Sequence, residues 1–561
     1  MAIKKRKVLN AAIVLGTVVS MLVACSSGNN NVNSGGATQP AEGNTAAPTE
    51  TSPTNSDGKF DPPVTITTVT PHLSADTKYP EGDTMTDNFH SRWVKENLGI
   101  DLKFLWGVSN TEAYQTKQKL MLAGNEEMPD IMLVHNELIS EFISSGRFMD
   151  ITEAFEMYAP ERLKATFEND PDLWVRVRKD GKNYGLPVLT NMETNAIMFM
   201  RQDWLDNLNL KAPTTIDELE QVLDAFTNQD PDQNGKNDTI GISLAGKDKL
   251  ATWTATADFV FGAYGKMPEL WYKAEDGTLQ YGSINPSVKT ALGKLAEWFN
   301  KGYLDKALGT LDNTKAAESF TQGKSGIYVG PSYSPNWPMK GAGMDVSVVE
   351  AYPIPKGPEG LFGSTAAAKT NHAYLFSKDF QHMDAFFKYL DIMMRPYAED
   401  SPFYYGAEEG LDYILVDGKP VYDAPELKKP DSFGMNDYML TFNYAIPQDN
   451  SQMYDDLLAG KEPVLPNEIM ASQWPLARLK AYALDAKNKA AQGMQNAFQG
   501  QPTKTLAQKG ELLLKMERET FLKIVYNELP LDAFDKFVED WKKAGGDQVT
   551  TEVNEWYNTT K

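Results

Sequence analysis

The amino-acid sequence predicts an α/β protein whose globular body is divided into two or more lobes. Strand-like and helix-like segments alternate from residue 60 onward, and this alternation is typical of a mostly parallel sheet with helices on both faces. The part of the chain that follows the N-terminal leader and spacer contains about 500 residues, which is more than one hydrophobic core normally supports. We therefore expect at least two lobes.

The N-terminus has the composition of a secretion signal. A basic cluster over residues 4–7 precedes an apolar run from Val8 to Leu22, and this run is too short to span a bilayer comfortably. The run ends in Leu22-Val23-Ala24-Cys25, which resembles a bacterial lipobox, where the signal is removed and the new N-terminal cysteine carries lipid. The alternative is an ordinary signal peptide with an incidental cysteine. We predict a signal over residues 1–24 and a lipid anchor on Cys25, at the outer face of the bacterial cell membrane.

The segment after the signal is predicted to be a disordered tether. Cys25 is the only cysteine, so an internal disulfide framework is excluded and stability must come from the core. Residues 26–59 consist mainly of Ser, Gly, Asn, Thr, Ala and Pro, and such a composition cannot bury enough apolar surface to become ordered. Residues 25–59 are therefore predicted to be a lipidated cysteine with its tether. No later apolar run is long enough for a membrane span.

The net charge restricts the partners. It is −22 for the whole chain and becomes −26 without the signal, because the signal contains four cations and no acids. An acidic surface of this kind argues against nucleic acid and against lying flat on an anionic membrane. Contact with the membrane is expected through the lipid anchor only.

The first predicted elements alternate regularly. Apolar periodicity, β-branched runs and closing glycines mark three strands and two helices. They are a strand over Val64–Val69, a helix that ends at Leu98 before Gly99, a strand over Ile100–Trp106, a helix over Thr111–Ala123 before Gly124, and a strand over Pro129–Val134.

Two later helices are predicted from one apolar face each. Thr215 and Glu218 have the spacing of a capping box at the start of the first helix. Its apolar face comprises Ile216, Leu219, Val222, Leu223 and Phe226. The second helix ends before Gly302, and its apolar face comprises Val288, Leu292, Leu295 and Phe299. Both spacings place the apolar side chains on one side of a helix.

Five segments resemble, in the same order, the extracellular solute-binding proteins of family 1, which are the ligand receptors of ABC importers. Each motif is weak alone, but together they extend over roughly residues 60–420, and the resemblance is thin beyond residue 440. The segments are YQTKQKLMLAGNEEMPDIML (114–133), DGKNYGLPV (180–188), FMRQDWLDNLNLKAPTTIDELEQVL (199–223), ESFTQGKSGIYVGP (318–331) and FYYGAEEGLDYIL (403–415).

The resemblance implies a two-lobe fold of the periplasmic-binding-protein type II class, with a ligand cleft between lobes that are joined by hinge strands. It places the first lobe at residues 60–188 and 372–440, and the second at residues 189–371 and 441–561. Clefts between domains are favoured ligand sites. It also implies a monomer that captures an oligosaccharide by hinge closure and delivers it to an ABC permease.

One acidic loop has the ligand spacing of a calcium site. In residues 230–241, five residues occupy positions 1, 3, 5, 7 and 9 of an EF-hand-like loop: Asp230, Asp232, Asn234, Lys236 through its carbonyl, and Asp238. Ca²⁺ prefers such oxygen ligands. Position 12 is Gly241 instead of a bidentate Glu, so water, Thr239 or a remote side chain must complete the shell. The alternative is a hydrated turn. We predict a structural calcium ion.

Candidate ligand residues lie where the loops of the family face the cleft. Aromatic faces bury the CH surfaces of sugars and carboxylates accept from hydroxyls, so this residue set indicates a carbohydrate. The alternative for each aromatic is packing in a core or at a lobe edge. The candidates are Trp106, Trp253, Tyr333, Trp337, Tyr404, Tyr405 and Glu408.

The sequence argues against an enzyme. The five histidines show no i, i+4 pair of the zinc-protease kind, and the chain has neither a G-x-S-x-G elbow nor a phosphate-binding P-loop. Glu408 and Glu409 are adjacent, whereas glycosidase carboxylates converge across a site. A receptor for another solute such as a peptide, a secreted carbohydrate-active enzyme and a surface glycan-capture protein remain alternatives.

Replacement of Cys25 by Ser tests the anchor. We expect Cys25→Ser to abolish lipidation and to move the protein from the membrane fraction to the soluble fraction, because no other membrane attachment is predicted. Fractionation followed by mass spectrometry of the N-terminal peptide measures both effects. A variant that still carries lipid and stays with the membranes would contradict the lipobox interpretation.

Overall fold

The computed structural model describes residues 52–559 apart from residues 75, 109–110, 125, 191–193, 195–196, 396–397, 431–432 and 442–443. The predicted signal and Cys25 lie outside the described residues. Within the described part, helices and strands alternate, which confirms the α/β class. In that same part, no helix combines the length and apolar character needed to cross a membrane.

One large hydrophobic core, which we call lobe 1, is built from residues 60–189 and 373–444. Its first stretch contains six strands and five helices. They are β1 (Val64–Thr70), α1 (Phe89–Leu98), β2 (Ile100–Gly107), α2 (Thr111–Ala123), β3 (Ile131–His135), α3 (Asn136–Ser144), α4 (Thr152–Tyr158), α5 (Glu161–Asn169), β4 (Arg178–Lys179), β5 (Lys182–Asn183) and β6 (Leu186–Leu189).

A second large core, which we call lobe 2, is built from residues 198–354 and 498–553. In sequence, the first segment of lobe 2 comes immediately after the first segment of lobe 1. The elements are β7 (Ile197–Arg201), α6 (Gln202–Asn207), α7 (Ile216–Asn228), β8 (Ile240–Ile242), α8 (Asp258–Ala263), β9 (Trp271–Lys273), β10 (Leu279–Tyr281), α9 (Pro286–Asn300), α10 (Asn313–Thr321), β11 (Ser325–Gly330), β12 (Val349–Pro353) and β13 (Ser364–Thr365).

The chain then returns to lobe 1 before it completes lobe 2. The returning elements are β14 (Thr370–Phe376), α11 (Met383–Met393), β15 (Ile414–Val416) and β16 (Lys419–Val421). The elements after residue 450 are α12 (Ser451–Leu458), α13 (Pro466–Ser472), α14 (Leu476–Gln492), β17 (Gly493–Met494), α15 (Lys504–Val525), α16 (Ala533–Trp541) and α17 (Asp547–Thr559).

The sheets are mixed, and the expectation of a mostly parallel sheet was wrong. β1 pairs with β2, and β11 with β8, in the parallel sense. However, β14 lies between β3 and β6 and is antiparallel to both, and β7 is antiparallel to its neighbours β11 and β12. β7 and β14 are the strands by which the chain enters one lobe from the other. They therefore begin at the edge where their neighbours β11 and β3 end.

Local signals fixed the helix ends well. α1 ends at Gly99, which has a φ of 69°, and a Cβ atom there would lie 2.2 Å from the carbonyl oxygen of Phe60. Glycine is therefore required both by the left-handed backbone and by the close approach of another segment. The apolar face predicted for α7 is buried throughout, as is most of that of α9.

The capping box of α7 differs from its expected form. The Thr215 hydroxyl accepts from the backbone N–H of Glu218 at 3.2 Å, as predicted. The Glu218 carboxylate, however, accepts from the N–H and the hydroxyl of Thr214, both at 2.7 Å. The reciprocal half of the cap therefore reaches one residue further back, because Thr214 offers two donors to the same oxygen.

The last residues of the predicted tether pack on lobe 1. The backbone N–H of Ser52 donates to Asp384 in α11 at 2.7 Å, and Ser52 is buried. Asn55 closes a turn by accepting from the N–H groups of Asp57 and Lys59 at 3.0 Å each. Residues 52–59 are thus ordered by polar contacts, which a low apolar content does not preclude.

A buried carboxyl group attaches α15 to the β9–β10 hairpin. Glu517 is only 1% exposed, and it accepts from the Ser283 hydroxyl at 2.7 Å and from the Tyr281 hydroxyl at 3.0 Å. Burial, assisted by the neighbouring charge of Glu269, raises the pKa of Glu517 to about 8. Glu269 itself is paired with Arg518 at 3.0 Å. Glu517 therefore binds its proton more tightly in the folded protein than its ordinary pKa of 4.5 implies.

We expect the Glu517 contribution to stability to decrease as the pH rises. A raised folded-state pKa means that the contribution is fully present below the unfolded pKa and is lost as the pH passes the folded value. Between the unfolded-state and the folded-state pKa, the free energy of unfolding changes by about 1.4 kcal/mol per pH unit for one proton. Urea unfolding of wild type and Glu517→Gln should therefore give a stability difference that changes over about pH 5 to pH 8.

The matched control is Glu519→Gln on the same helix, because Glu519 is exposed. That variant should follow the wild-type pH dependence. A stability difference between wild type and Glu517→Gln that stays constant over this range would contradict the buried protonated carboxyl.

Candidate functional site

The chain crosses between the lobes next to the ends of several strands, and these strand ends lie at the junction between the lobes. In lobe 1, β3 ends at His135, which is the register partner of His372 near the start of β14, and Leu189 at the end of β6 faces Thr370. In lobe 2, β11 ends at Gly330, the register partner of Ile197 at the start of β7. Because the crossovers leave from these edges, the loops beyond them lie at the junction. Crevices at such strand ends are favoured ligand sites.

Two parallel tryptophans lie at the lobe 2 edge. The rings of Trp253 and Trp337 stack with centroids 5.5 Å apart and an interplanar angle of 4°. Their exposed fractions are 45% and 43%, which excludes the alternative that either is a core residue. The Thr254 and Tyr328 hydroxyls hydrogen bond, and this contact fixes Trp253 beside the end of β11.

The loop that carries Trp337 is held by its own backbone. The N–H of Asn336 donates to the Tyr333 carbonyl at 2.9 Å, and the Ser334 hydroxyl donates to the Pro331 carbonyl at 2.7 Å. Met339 anchors the far side of the loop in the core. Tyr333 is half-buried within the same turn. Trp337 is therefore presented to solvent from a rigid support, so little conformational entropy is lost when a ligand covers it.

Trp106 lies at the corresponding edge of lobe 1. It is half-buried near the end of β2, with its ring 5.5 Å from that of Tyr114 and 4.2 Å from the Lys117 ammonium. The Tyr114 hydroxyl donates to the Leu133 carbonyl at 3.0 Å, which ties α2 to β3. Trp106 thus has one face occupied by α2.

Three histidines that the sequence reasoning did not select meet at this edge. His135 and His372 have ring centroids 4.0 Å apart, and His72 follows β1 closely enough for its charge to be coupled to that of His135. Burial lowers the pKa of His72 to about 4 and that of His372 to about 3, and it also lowers the pKa of His135. All three are therefore neutral at physiological pH, and a neutral imidazole has one donor and one acceptor nitrogen for hydroxyl groups.

The predicted residues of the later segment form a separate group. The Tyr404 and Tyr405 rings are 4.9 Å apart, and their neighbour Phe403 packs on Trp93 of α1 at 4.9 Å. The exposed Glu408 follows a turn in which the Asp412 carboxylate accepts from the Glu408 N–H at 3.1 Å. In the described part of the chain, no ring contact joins this group to Trp106 or to Trp253 and Trp337. A ligand role for Tyr404, Tyr405 and Glu408 stays a prediction.

The acidic loop forms a compact turn around Asn234. The side-chain amide of Asn234 donates to Asp232 at 2.8 Å and to Asp238 at 3.1 Å, while Asp230 accepts from the backbone N–H groups of Asn234 and Gly235 at 3.0 Å each. Gly235 has a φ of 77°, as the sharp turn requires. Two carboxylates therefore accept from the Asn234 side-chain amide, and a third accepts from the backbone of the turn.

The oxygen donors of this loop suit Ca²⁺, but their arrangement is not a preformed cage. Among the described residues, no three His, Cys, Asp or Glu side chains stand in a metal-holding arrangement. The described ion pairs include none to Asp230, Asp232 or Asp238, so no described cationic side chain neutralises these carboxylates. Thr239, in contrast, is buried and donates to the Phe226 carbonyl at 2.7 Å. Its hydroxyl is bound to α7 instead, so the expectation that Thr239 could complete the shell is not supported.

Sequence comparison identifies one family and several curated relatives. A profile of the family described as bacterial extracellular solute-binding protein matches residues 76–396, more than half of the chain. The polygalacturonan/rhamnogalacturonan-binding protein YtcQ of Bacillus subtilis is 27% identical over 447 residues, which cover 79% of this chain and 82% of YtcQ. Lipoprotein LipO of the same organism is 22% identical over 480 residues, which cover 83% of this chain and 88% of LipO.

Comparison with solved structures supports the two-lobe fold. The S. pneumoniae ABC-transporter substrate-binding protein FusA in complex with kestose superposes with a TM-score of 0.62 at 16% identity, covering 88% of this chain and 99% of FusA. A second structure, described as a FusA EF-hand mutant in complex with fructo-nystose, gives a TM-score of 0.61 at 17% identity with the same coverage.

Proposed function

The chain belongs to the bacterial extracellular solute-binding proteins, and on this premise we propose that it captures an oligosaccharide between its lobes and delivers it to an ABC permease. It would do so as a monomer, without making or breaking a covalent bond. The names of YtcQ and FusA, which describe proteins that bind a polysaccharide and fructooligosaccharides, support a saccharide ligand.

The observation that carries this proposal is the exposed stack of Trp253 and Trp337. An indole face left open to water at a lobe edge is an apolar surface without a partner. The CH face of a sugar ring is the matching surface, and rigid aromatic side chains dominate binding energies when a ligand covers them. Neutral imidazoles of His72, His135 and His372 on the opposite lobe would supply hydrogen bonds to hydroxyls.

The mechanism is hinge closure. The chain passes between the lobes after β6, after β13 and before α12, and a ligand that contacts both edges binds the closed state better than the open one. We propose the lobe division 60–188 with 372–440 and 189–371 with 441–561, which the two separate cores support. The name of LipO supports a lipid anchor on Cys25 at the outer face of the membrane.

A structural calcium ion in the loop from Asp230 to Asp238 is part of the proposal. The oxygens of Asp230, Asp232, Asn234 and Asp238 with the Lys236 carbonyl would hold it, and water would supply the rest of the shell. Rotation of the Asn234 amide would present its oxygen in place of the N–H₂ group that now faces the two carboxylates. The ion would fix the connection between α7 and β8. The EF-hand in the name of the FusA mutant supports this role.

Binding of oligosaccharides tests the proposed function. A thermal-shift screen against an oligosaccharide panel should reveal a ligand, and calorimetry should then show weaker binding to Trp337→Ala. Loss of one such aromatic is expected to cost about 1–3 kcal/mol of binding free energy. Stability should decrease by no more than about 1 kcal/mol, which is the scale of a lost aromatic pair.

Trp337→Phe is the matched control, because it keeps an aromatic face on the same loop and should retain most of the affinity. If the protein released reducing ends from a polysaccharide, it would be a carbohydrate-active enzyme and the proposed function would be wrong. If it bound peptides and no saccharide, the proposed ligand class would be wrong. Unchanged affinity in Trp337→Ala would remove this residue from the site.

Chelation tests the calcium proposal. We expect EDTA to lower the melting temperature of wild type, and Asp232→Ala to abolish that response while ligand affinity changes little, because the ion is structural. Asp276→Ala, in an exposed turn of lobe 2 outside the loop, should keep the wild-type response. An unchanged melt in EDTA, with no metal found in the purified protein by elemental analysis, would contradict the site.

A further inference from the structure

Arg478 in α14 forms a stack with aromatic side chains. Its guanidinium carbon lies 3.8 Å from the ring centre of Trp474 and 5.6 Å from that of Tyr482. The rings of Trp474 and Tyr482 are themselves 5.0 Å apart, and Tyr454 of α12 packs on Tyr482 at 5.6 Å. The guanidinium plane is therefore held in place before any ligand arrives.

This guanidinium lacks an anionic partner in the described part of the chain. The described ion pairs of α14 join Lys480 to Glu350 and Lys487 to Asp455, each at 2.5 Å, and none involves Arg478. Its Nε atom is buried without a hydrogen-bond partner. A buried N–H group that donates no hydrogen bond lowers the stability of the folded protein. The chain has 76 acidic residues against 54 lysines and arginines, so a shortage of carboxylates does not explain the missing partner.

The position of Arg478 in the helix gives no stabilising reason for a cation. It lies in the first turn of α14, which contains no acidic residue. The N-terminal end of a helix carries partial positive charge, so a cation there is unfavourable and an anion is favourable. Helix stability alone would select an acid at this position.

The face of α14 that carries Arg478 extends along the helix to the junction between the lobes. Arg478, Tyr482 and Asp485 are spaced i, i+4 and i+7 and therefore lie on one side of the helix. Asp485 accepts from the Thr194 hydroxyl at 2.6 Å, and Thr194 belongs to the crossover that precedes β7. Ala481 packs in the same small core as Ile197 and Met339, so α14 also adjoins the loop of Trp337.

Lobe 1 has a second pair of this type at its edge. The Lys117 ammonium lies 4.2 Å from the ring centre of Trp106. Among the described ion pairs, none includes Lys117, although Lys95 and Lys103 nearby both pair with Asp101. A cation placed on a tryptophan is therefore found on both lobes, and each combination has an apolar face beside a positive charge.

We propose that the solute is an anionic oligosaccharide built of uronate residues, and that Arg478 binds a carboxylate while Trp474 covers the adjoining sugar face. The fork of an arginine matches a planar carboxylate with two parallel hydrogen bonds. This inference rests on the proposed function and adds the charge of the ligand to it.

Calorimetry of the mature protein with paired probes tests this inference. Trigalacturonate, trimannuronate and triglucuronate are each compared with the carboxyl-reduced neutral trisaccharide. We expect one uronate to bind and its neutral counterpart to bind much more weakly, and Arg478→Gln to reduce uronate affinity by about tenfold or more. Binding should weaken with added salt.

Two controls separate ligand binding from structure. Lys480→Gln, which breaks the pair with Glu350 on the same helix, should leave uronate affinity unchanged. Arg478→Gln should unfold at about the same urea concentration as wild type, because none of the described ion pairs involves Arg478. A loss of stability with unchanged uronate affinity would make Arg478 a packing residue and overturn the assignment.

The choice of ligands separates failure of the anionic-ligand inference from failure of the proposed function. Wild type that binds neutral trisaccharides but no uronate would overturn the anionic ligand and leave the proposed function intact. Binding of sulfated but not carboxylated sugars would also overturn it. A protein that binds no saccharide of either kind would overturn both.

Discussion

Each lobe depends on a strand that arrives from the other lobe. β14 lies in the middle of its sheet between β3 and β6, and β7 lies between β11 and β12. Removal of β14 would leave β3 and β6 without backbone partners, and removal of β7 would leave β12 without one. A buried unpaired backbone group is costly. Because each lobe contains a central strand that follows a segment of the other lobe, neither core is complete without the crossovers between them. This arrangement also brings the ends of β3 and β11 to the crossovers, where a ligand can contact both lobes.

The distribution of charge changes between the surface and the junction. The chain is strongly acidic overall, yet the groups described at the junction include neutral imidazoles, indoles and cations on indole faces. An acidic exterior repels anions at long range, whereas a guanidinium without an ion-pair partner attracts one at short range. The ligand that we propose, which combines apolar sugar faces with carboxylates, matches this combination better than a ligand that is simply negative.

Local sequence determined much of the fold but little of the site. The end of α1 at Gly99 and the buried face of α7 were predictable, because caps and periodicity are local properties. Strand direction was not, since periodicity does not show that β7 and β14 enter from the other lobe. Trp253 and Trp337 were each predicted, but their pairing requires the fold. His72, His135 and His372 come from three distant segments and carry no local spacing signal. Arg478 was missed for a related reason, because a missing partner is visible only once the neighbours are known.

The place of β14 in the chain also governs how lobe 1 can be assembled. During synthesis and export the N-terminal part appears first, so β3 and β6 exist before the strand that pairs with both. Until Phe376 has emerged, their facing edges are open to other chains, which is a route to aggregation. Lobe 2 begins to form within this interval, because β7, β8, β11 and β12 all precede β14. Closure of lobe 1 is therefore a long-range event, and topologies with many such contacts fold slowly.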